Sequence, residues 1–246
     1  GMHPDLEELF RISEVRAAVY AGKKGKAPGL DQVPYEVYQL ASKQLVPSIC
    51  KFFNHLQSTC RTPVSWNLAK VLELRKPGGV VSLKSAYRPI SLLPVLAKIF
   101  EKVLQPRLER FLSMSGFFAP EQAGFRPGLS CAHNLFILHE CLAVQPERGQ
   151  PTFIAFLDIK SAYDTVWRDG LWLKLHNAGV LASGPTWRLL HSMFNVQRKA
   201  VYSNGSLSDA FTTEARFRVI SIALFCLYQW ACRKQVEVLF LTDSFS

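Results

Sequence analysis

The sequence predicts an α+β fold, helices interleaved with a few short strands, and three observations predict it. Leu6, Leu9, Phe10, Ile12, Val15, Ala18 and Val19 recur at helical spacing near the start of the chain. Residues 68 to 74, Leu-Ala-Lys-Val-Leu-Glu-Leu, and 153 to 157, Phe-Ile-Ala-Phe-Leu, have the length and composition of strands, the second being a short apolar run of the buried kind. Ser203-Asn-Gly-Ser206, set between 200–202 and 207–212, carries the residues a tight hairpin turn needs.

In order, a first helix is expected from Leu6 to Ala21, stopped by Gly22, and the Pro-Gly pair of Lys26-Ala-Pro-Gly-Leu-Asp31 marks a turn. Helices are expected over Pro34–Ala41 and Pro47–Ser58, then the strand at 68–74. Lys76-Pro-Gly-Gly79 reads as a turn into an irregular return through Ser82 to Tyr87, so that two strands with basic tips could clamp a triphosphate. Arg88-Pro-Ile-Ser91 should enter an amphipathic helix, Leu92–Leu104. Gly124-Phe-Arg-Pro-Gly128 is a punctuated loop before a helix at Cys131–Val144, and Gln145–Gln150 is the most linker-like piece. It divides the chain into 1–150 and 151–246. Helices follow at Gly170–Ala178, ended by Gly179, and at Pro185–Met193.

A chain of 246 residues with 48% hydrophobic content can bury a substantial core, which excludes a disordered class. It has no apolar run of about 18 residues and no signal-peptide pattern at its first residues, so an intracellular protein without a membrane partner is expected. Six cysteines without paired spacing point to reduced thiols. A formal charge of +10, from 29 basic and 19 acidic residues, makes a polyanion such as nucleic acid the natural partner. Asp158 closes the apolar run at 153–157, and an isolated carboxylate at a strand end can hold a metal ion or cap the helix that follows.

Several blocks, in order, resemble the reverse transcriptase domain of non-long-terminal-repeat (LINE-type) retrotransposons. Lys26-Ala-Pro-Gly-Leu-Asp31 is similar to the N-terminal block of that branch. Pro63, Trp66, Ala69, Lys76, Gly78 and Tyr87-Arg-Pro-Ile-Ser-Leu-Leu93, with Lys98 and Glu101, resemble the fingers block. Gln122-Ala-Gly-Phe-Arg-Pro-Gly128 resembles the next, and Phe156-Leu-Asp-Ile-Lys-Ser-Ala-Tyr-Asp164 the first palm block.

The resemblance implies a right-hand polymerase fold, with a fingers-like region over 1–150, an incomplete palm from 151 and no thumb. It implies RNA-directed DNA synthesis from deoxynucleoside triphosphates on an RNA template, with a DNA primer or target DNA and two Mg2+ ions. The product would act in nucleus or cytoplasm as a ribonucleoprotein. Asp158 and the carbonyl of Ile159 would hold metal. Tyr163 would exclude ribonucleotides at C2′, Lys76 and Arg88 would grip the triphosphate, and Gly124, Phe125 and Arg126 would lie near the template strand. A point charge and a bidentate fork suit that grip. Asp164 is read as structural, capping the following helix or pairing with a base, and not as a metal ligand.

Departures follow. The second palm block should fall at 215–225, but Arg216, Phe217 and Ile222 stand where the family has Gln, Gly and Pro, and no aromatic-Ala-Asp-Asp turn follows. Reading the codons of Tyr228-Gln-Trp-Ala-Cys232 one nucleotide later permits Ile-Asn-Gly-Leu, so 226–246 is expected to be an out-of-frame or divergent tail and this chain catalytically incomplete. A non-catalytic nucleic-acid-binding remnant and a group II intron maturase-like reverse transcriptase are the alternatives.

Overall fold

The computed structural model describes residues 4–78, 86–124, 126, 128–144, 154, 167–180, 184–194, 198–203 and 205–212. The expected tail at 226–246 lies outside them.

The expected first helix is two. Helix α1 covers Pro4–Glu7 and α2 covers Ile12–Tyr20, with an extended link between. Apolar periodicity alone cannot foresee the break, because side chains distant in sequence take over the link's backbone groups. The Arg107 guanidinium donates to Leu9 O at 3.0 Å and to Glu8 O. Asn54 Oδ1 accepts Phe10 N–H at 2.6 Å, while Asn54 Nδ2 donates to Phe10 O at 3.1 Å. Each of these bonds replaces one that a continuous helix would have made.

Helix α3 (Tyr35–Leu40) falls where expected, and α4 (Ser42–Thr59) begins five residues before Pro47 and contains it. Pro47 lacks an N–H and so removes one bond from the early helix, without ending it. After a 3-10 turn at Val64–Asn67 comes strand β1, Leu68–Arg75. The segment expected to lead into a helix is instead strand β2, Tyr87–Leu92, and α5 (Val95–Met114) starts only after Pro94. Pro89 is tolerated because β2 is an edge strand, where a missing donor costs no ladder bond.

Helices α6 (Cys131–Val144), α7 (Arg168–Asn177) and α8 (Pro185–Phe194) match expectation within two residues. Gly179 closes the turn after α7 with φ +93°. The hairpin turn is also found: β3 (Arg198–Ser203) returns as β4 (Ser206–Leu207), with Gly205 at φ +81°, and then β5 (Phe211–Thr212).

One sheet joins the strands in the order β2-β1-β3-β4, with β5 also on β3. Strand β1 is antiparallel to β2 and parallel to β3. Ala69 and Val71 of β1 are buried on one face. Helices α1, α2, α4, α5, α7 and α8 share a core whose centre is aromatic, with the Phe53 and Phe100 rings 4.8 Å apart and Trp66 5.5 Å from Phe100. Edge contacts of this kind add about 1 kcal/mol each beyond burial. The core draws on residues both before and after 150. The four described cysteines, Cys50, Cys60, Cys131 and Cys141, are free. No described helix is long and apolar enough to cross a membrane.

Candidate functional site

The β1–β2 hairpin brings the two expected triphosphate-gripping residues together. Its register pairs Leu74 with Arg88 and Arg75 with Tyr87. Beyond the paired residues, Lys76 N donates to Ala86 O at 2.7 Å, which carries the ladder one position further. Gly78, at φ +72°, begins the reversal that Lys76-Pro77-Gly78 was expected to make. Side chains alternate faces along a strand, so Leu74 and Lys76 share a face, and Arg88, opposite Leu74, shares it too. Lys76 and Arg88 are therefore diagonal neighbours, about 7 Å apart at their β-carbons. Arg88 is exposed and Lys76 half-buried.

This is the face of the sheet turned away from Ala69 and Val71. It holds large apolar groups that water would not select for: Leu74 is 51% exposed and Ile90 42% exposed. Glu73 pairs with Pro89 on the other face. No position on the Arg88 face in the described pairings of β1 with β2 and β3 is acidic.

Two loops carry further blocks of the expected site. Gly29, in the Lys26–Asp31 block, lies against the backbone of Leu93 and Pro94, where β2 gives way to α5; a Cβ there would come within 2.7 Å of Leu93 O. The N-terminal block thus seats the exit of the strand that bears Arg88. In the loop at 122–128, the Gln122 side chain is buried and donates to Gly124 O at 3.0 Å. Arg126 donates to Ala119 O and to Gln122 O, both at 3.3 Å, and its guanidinium sits 5.8 Å from the Phe118 ring centre. Arg126 closes its own loop, and Gly124 serves as an acceptor within it. Phe125 lies outside the described residues.

Asp158, Ile159, Tyr163 and Asp164 also lie outside them, so the hairpin, Gly124 and Arg126 are the described part of the expected site. Among the described residues no group of three or more His, Cys, Asp or Glu side chains could hold a metal ion.

Sequence reasoning missed one pairing. Lys70 places its ammonium 3.8 Å from the ring centre of Tyr202. Tyr202 pairs with Leu72 through the parallel β1–β3 ladder, so Lys70 and Tyr202 both lie on the Arg88 face. Strand alternation from Lys76 back to Lys70 was visible in the sequence, but the parallel pairing of segments so far apart was not.

Comparison with known proteins agrees with the blocks. The model of the family described as reverse transcriptase (RNA-dependent DNA polymerase) matches residues 74–217. A probable RNA-directed DNA polymerase from transposon X-element of Drosophila melanogaster is 29% identical over 222 residues, covering 89% of this chain and 24% of that protein. The probable RNA-directed DNA polymerase from transposon BS of the same species is 27% identical over 199 residues, covering 81% of this chain and 22% of its own length. This chain therefore spans about a quarter of the length of these relatives. A chain of a solved partial Cas6-RT-Cas1–Cas2 complex aligns with TM-score 0.44 and 14% identity, covering 95% of this chain and 36% of that one. Because the family model takes in more than half of the residues, from the β1–β2 hairpin to beyond the β3 hairpin, the chain belongs to the reverse transcriptase (RNA-dependent DNA polymerase) family.

Proposed function

We propose that this chain is the fingers and first palm block of an RNA-directed DNA polymerase of a LINE-type retrotransposon. The fingers region spans 1–150 and the partial palm starts at 151. The observation that carries the reading is the β1–β2 hairpin, which sets Lys76 and Arg88 on one open face inside the family match.

Lys76 and Arg88 hold the triphosphate of an incoming deoxynucleotide. A guanidinium fork takes two phosphate oxygens at once and an ammonium adds an orientable charge, so the α-phosphate is fixed for attack. Asp158 with the Ile159 carbonyl is the metal-binding element, and Tyr163 bars a 2′-hydroxyl. Magnesium bound there would supply charge to the triphosphate and lower the pKa of the primer 3′-hydroxyl. The RNA template passes near the loop at Gly124–Arg126. Within these 246 residues no aromatic-Ala-Asp-Asp turn is present, and the family match stops at 217, where Phe217 replaces the expected glycine. The chain therefore binds substrates and needs a second palm carboxylate for chemistry.

The grip is tested in a chimera in which a complete second palm block and Asp-Asp turn follow Thr213. Arg88→Ala should raise the deoxynucleotide KM about 10- to 100-fold with little change in kcat, the range for a lost charged hydrogen bond, and Lys76→Ala less. An unchanged KM in both variants would remove the hairpin from the nucleotide site.

A further inference from the structure

Past Arg88 the same sheet face continues across β1 to β3, and it changes character there. Tyr202 is 37% exposed and is met by the Lys70 ammonium 3.8 Å from its ring centre. Leu207 of β4, paired with Tyr202, is 45% exposed beside it. Arg198 is exposed four pairs further along, on the same face. An aromatic ring, two cations on the N-terminal side of its strand position and apolar neighbours without a carboxylate among the β1–β3 paired positions make one kind of surface. It attracts phosphate and offers a flat apolar plane to a base.

We infer that Tyr202 and Lys70 form a stacking position for an unpaired nucleotide of single-stranded RNA, set apart from the triphosphate grip. The inference rests on the reading of this chain as a nucleic-acid polymerase and specifies a position on it. From Tyr202 to Arg88 the sheet crosses two strand spacings and advances two residues, about 12 Å, so the ring and the Arg88 side chain rise from separate places on one face. An unpaired base has its π-face free to lie on a tyrosine, whereas a base inside a duplex is already stacked on both sides. The cation–π contact holds the ammonium over one face of the ring before any ligand arrives. A nucleotide brings a partner for each, a base for the ring and a phosphate for the ammonium.

The test uses this chain as it stands, with fluorescence anisotropy of a labelled single-stranded RNA 12-mer and of a blunt RNA duplex of equal length, over a range of salt. Tyr202→Ala should weaken single-strand binding about 5- to 100-fold, the range for losing one base–aromatic stack, with the salt slope unchanged and duplex affinity within twofold. Tyr202→Phe should bind as the wild type does. Lys70→Ala should weaken binding and reduce the salt slope by about one. The inference is overturned if Tyr202→Ala leaves single-strand affinity unchanged, if it weakens single strand and duplex alike, if Tyr202→Phe loses as much as Tyr202→Ala, or if the wild type binds no RNA at low salt. Self-association that Tyr202→Ala abolishes without altering RNA binding would make the face a protein contact and overturn it too. None of these readouts needs catalysis, so failure of the polymerase reading in the chimera is separate from failure here.

Discussion

At the scale of single residues, one missing side chain seats the hairpin that carries Lys76 and Arg88. Gly29 is buried against the Leu93–Pro94 backbone, which cannot yield as the tip of a flexible side chain would. Gly29→Ala should lower unfolding free energy by about 2–4 kcal/mol in urea denaturation, the cost of overpacking against backbone. Gly25→Ala, at φ +68° with open space around it, should cost only about 1 kcal/mol. Equal costs would show that strain of backbone conformation, and not the seat on Leu93, is what the N-terminal block requires. The Pro28-Gly29 pair was legible as a turn, but its seat was not, because the atoms it meets belong to a distant segment. Lys76 and Arg88 were legible as residues and as a pair. The structure adds that they share a face, which follows from a register the sequence does not state.

At the scale of elements, a tertiary ion pair decides where the first helix divides. Arg107, 6% exposed on α5, donates to Glu14 Oε1 at 2.8 Å and to Glu14 Oε2 at 2.7 Å, besides holding the carbonyls of the link between α1 and α2. Burial pushes the Glu14 carboxyl up, but hydrogen bonds from Arg107 and the Arg11 backbone outweigh it and leave it below the usual carboxylate range. A group lowered on folding stabilises the fold above its unfolded pKa, and that contribution is lost as pH falls through the folded value. Glu7 has the opposite sign. Burial raises it despite bonds from Thr186 at the start of α8, so its contribution favours lower pH and fades as pH rises through its folded value. Glu14→Gln should therefore cost about 1 kcal/mol near pH 7, after allowance for partial solvent screening, and the gap from the wild type should close as pH drops below the carboxylate range. Urea midpoints measured from pH 3 to 7 check this; a gap that stays constant would mean Glu14 acts by packing alone. Helices with strong local signals, α3, α6, α7 and α8, were legible because pattern and caps are local. The split of α1 from α2 and the strand at Tyr87–Leu92 were not, because distant partners override local periodicity.

At the scale of the whole molecule, the fold class was legible from element types and the family from blocks in order. The parallel join of β1 to β3 was not, since it depends on chain segments with no shared local pattern. Of the candidate site, the described half is a basic, partly apolar sheet face, and the carboxylate half rests on the first palm block. If Asp158 and this face belong to one polymerase site, primer extension on an RNA template should show it, using the chain joined after Thr213 to a complete second palm block with an Asp-Asp turn. Magnesium-dependent DNA product should form and vanish in Asp158→Asn, while both proteins bind primer–template with an affinity that falls on the order of tenfold to a thousandfold between 50 and 200 mM salt. Product that persists in Asp158→Asn, or tight primer–template binding with no product from the unmutated chimera, would contradict a shared site.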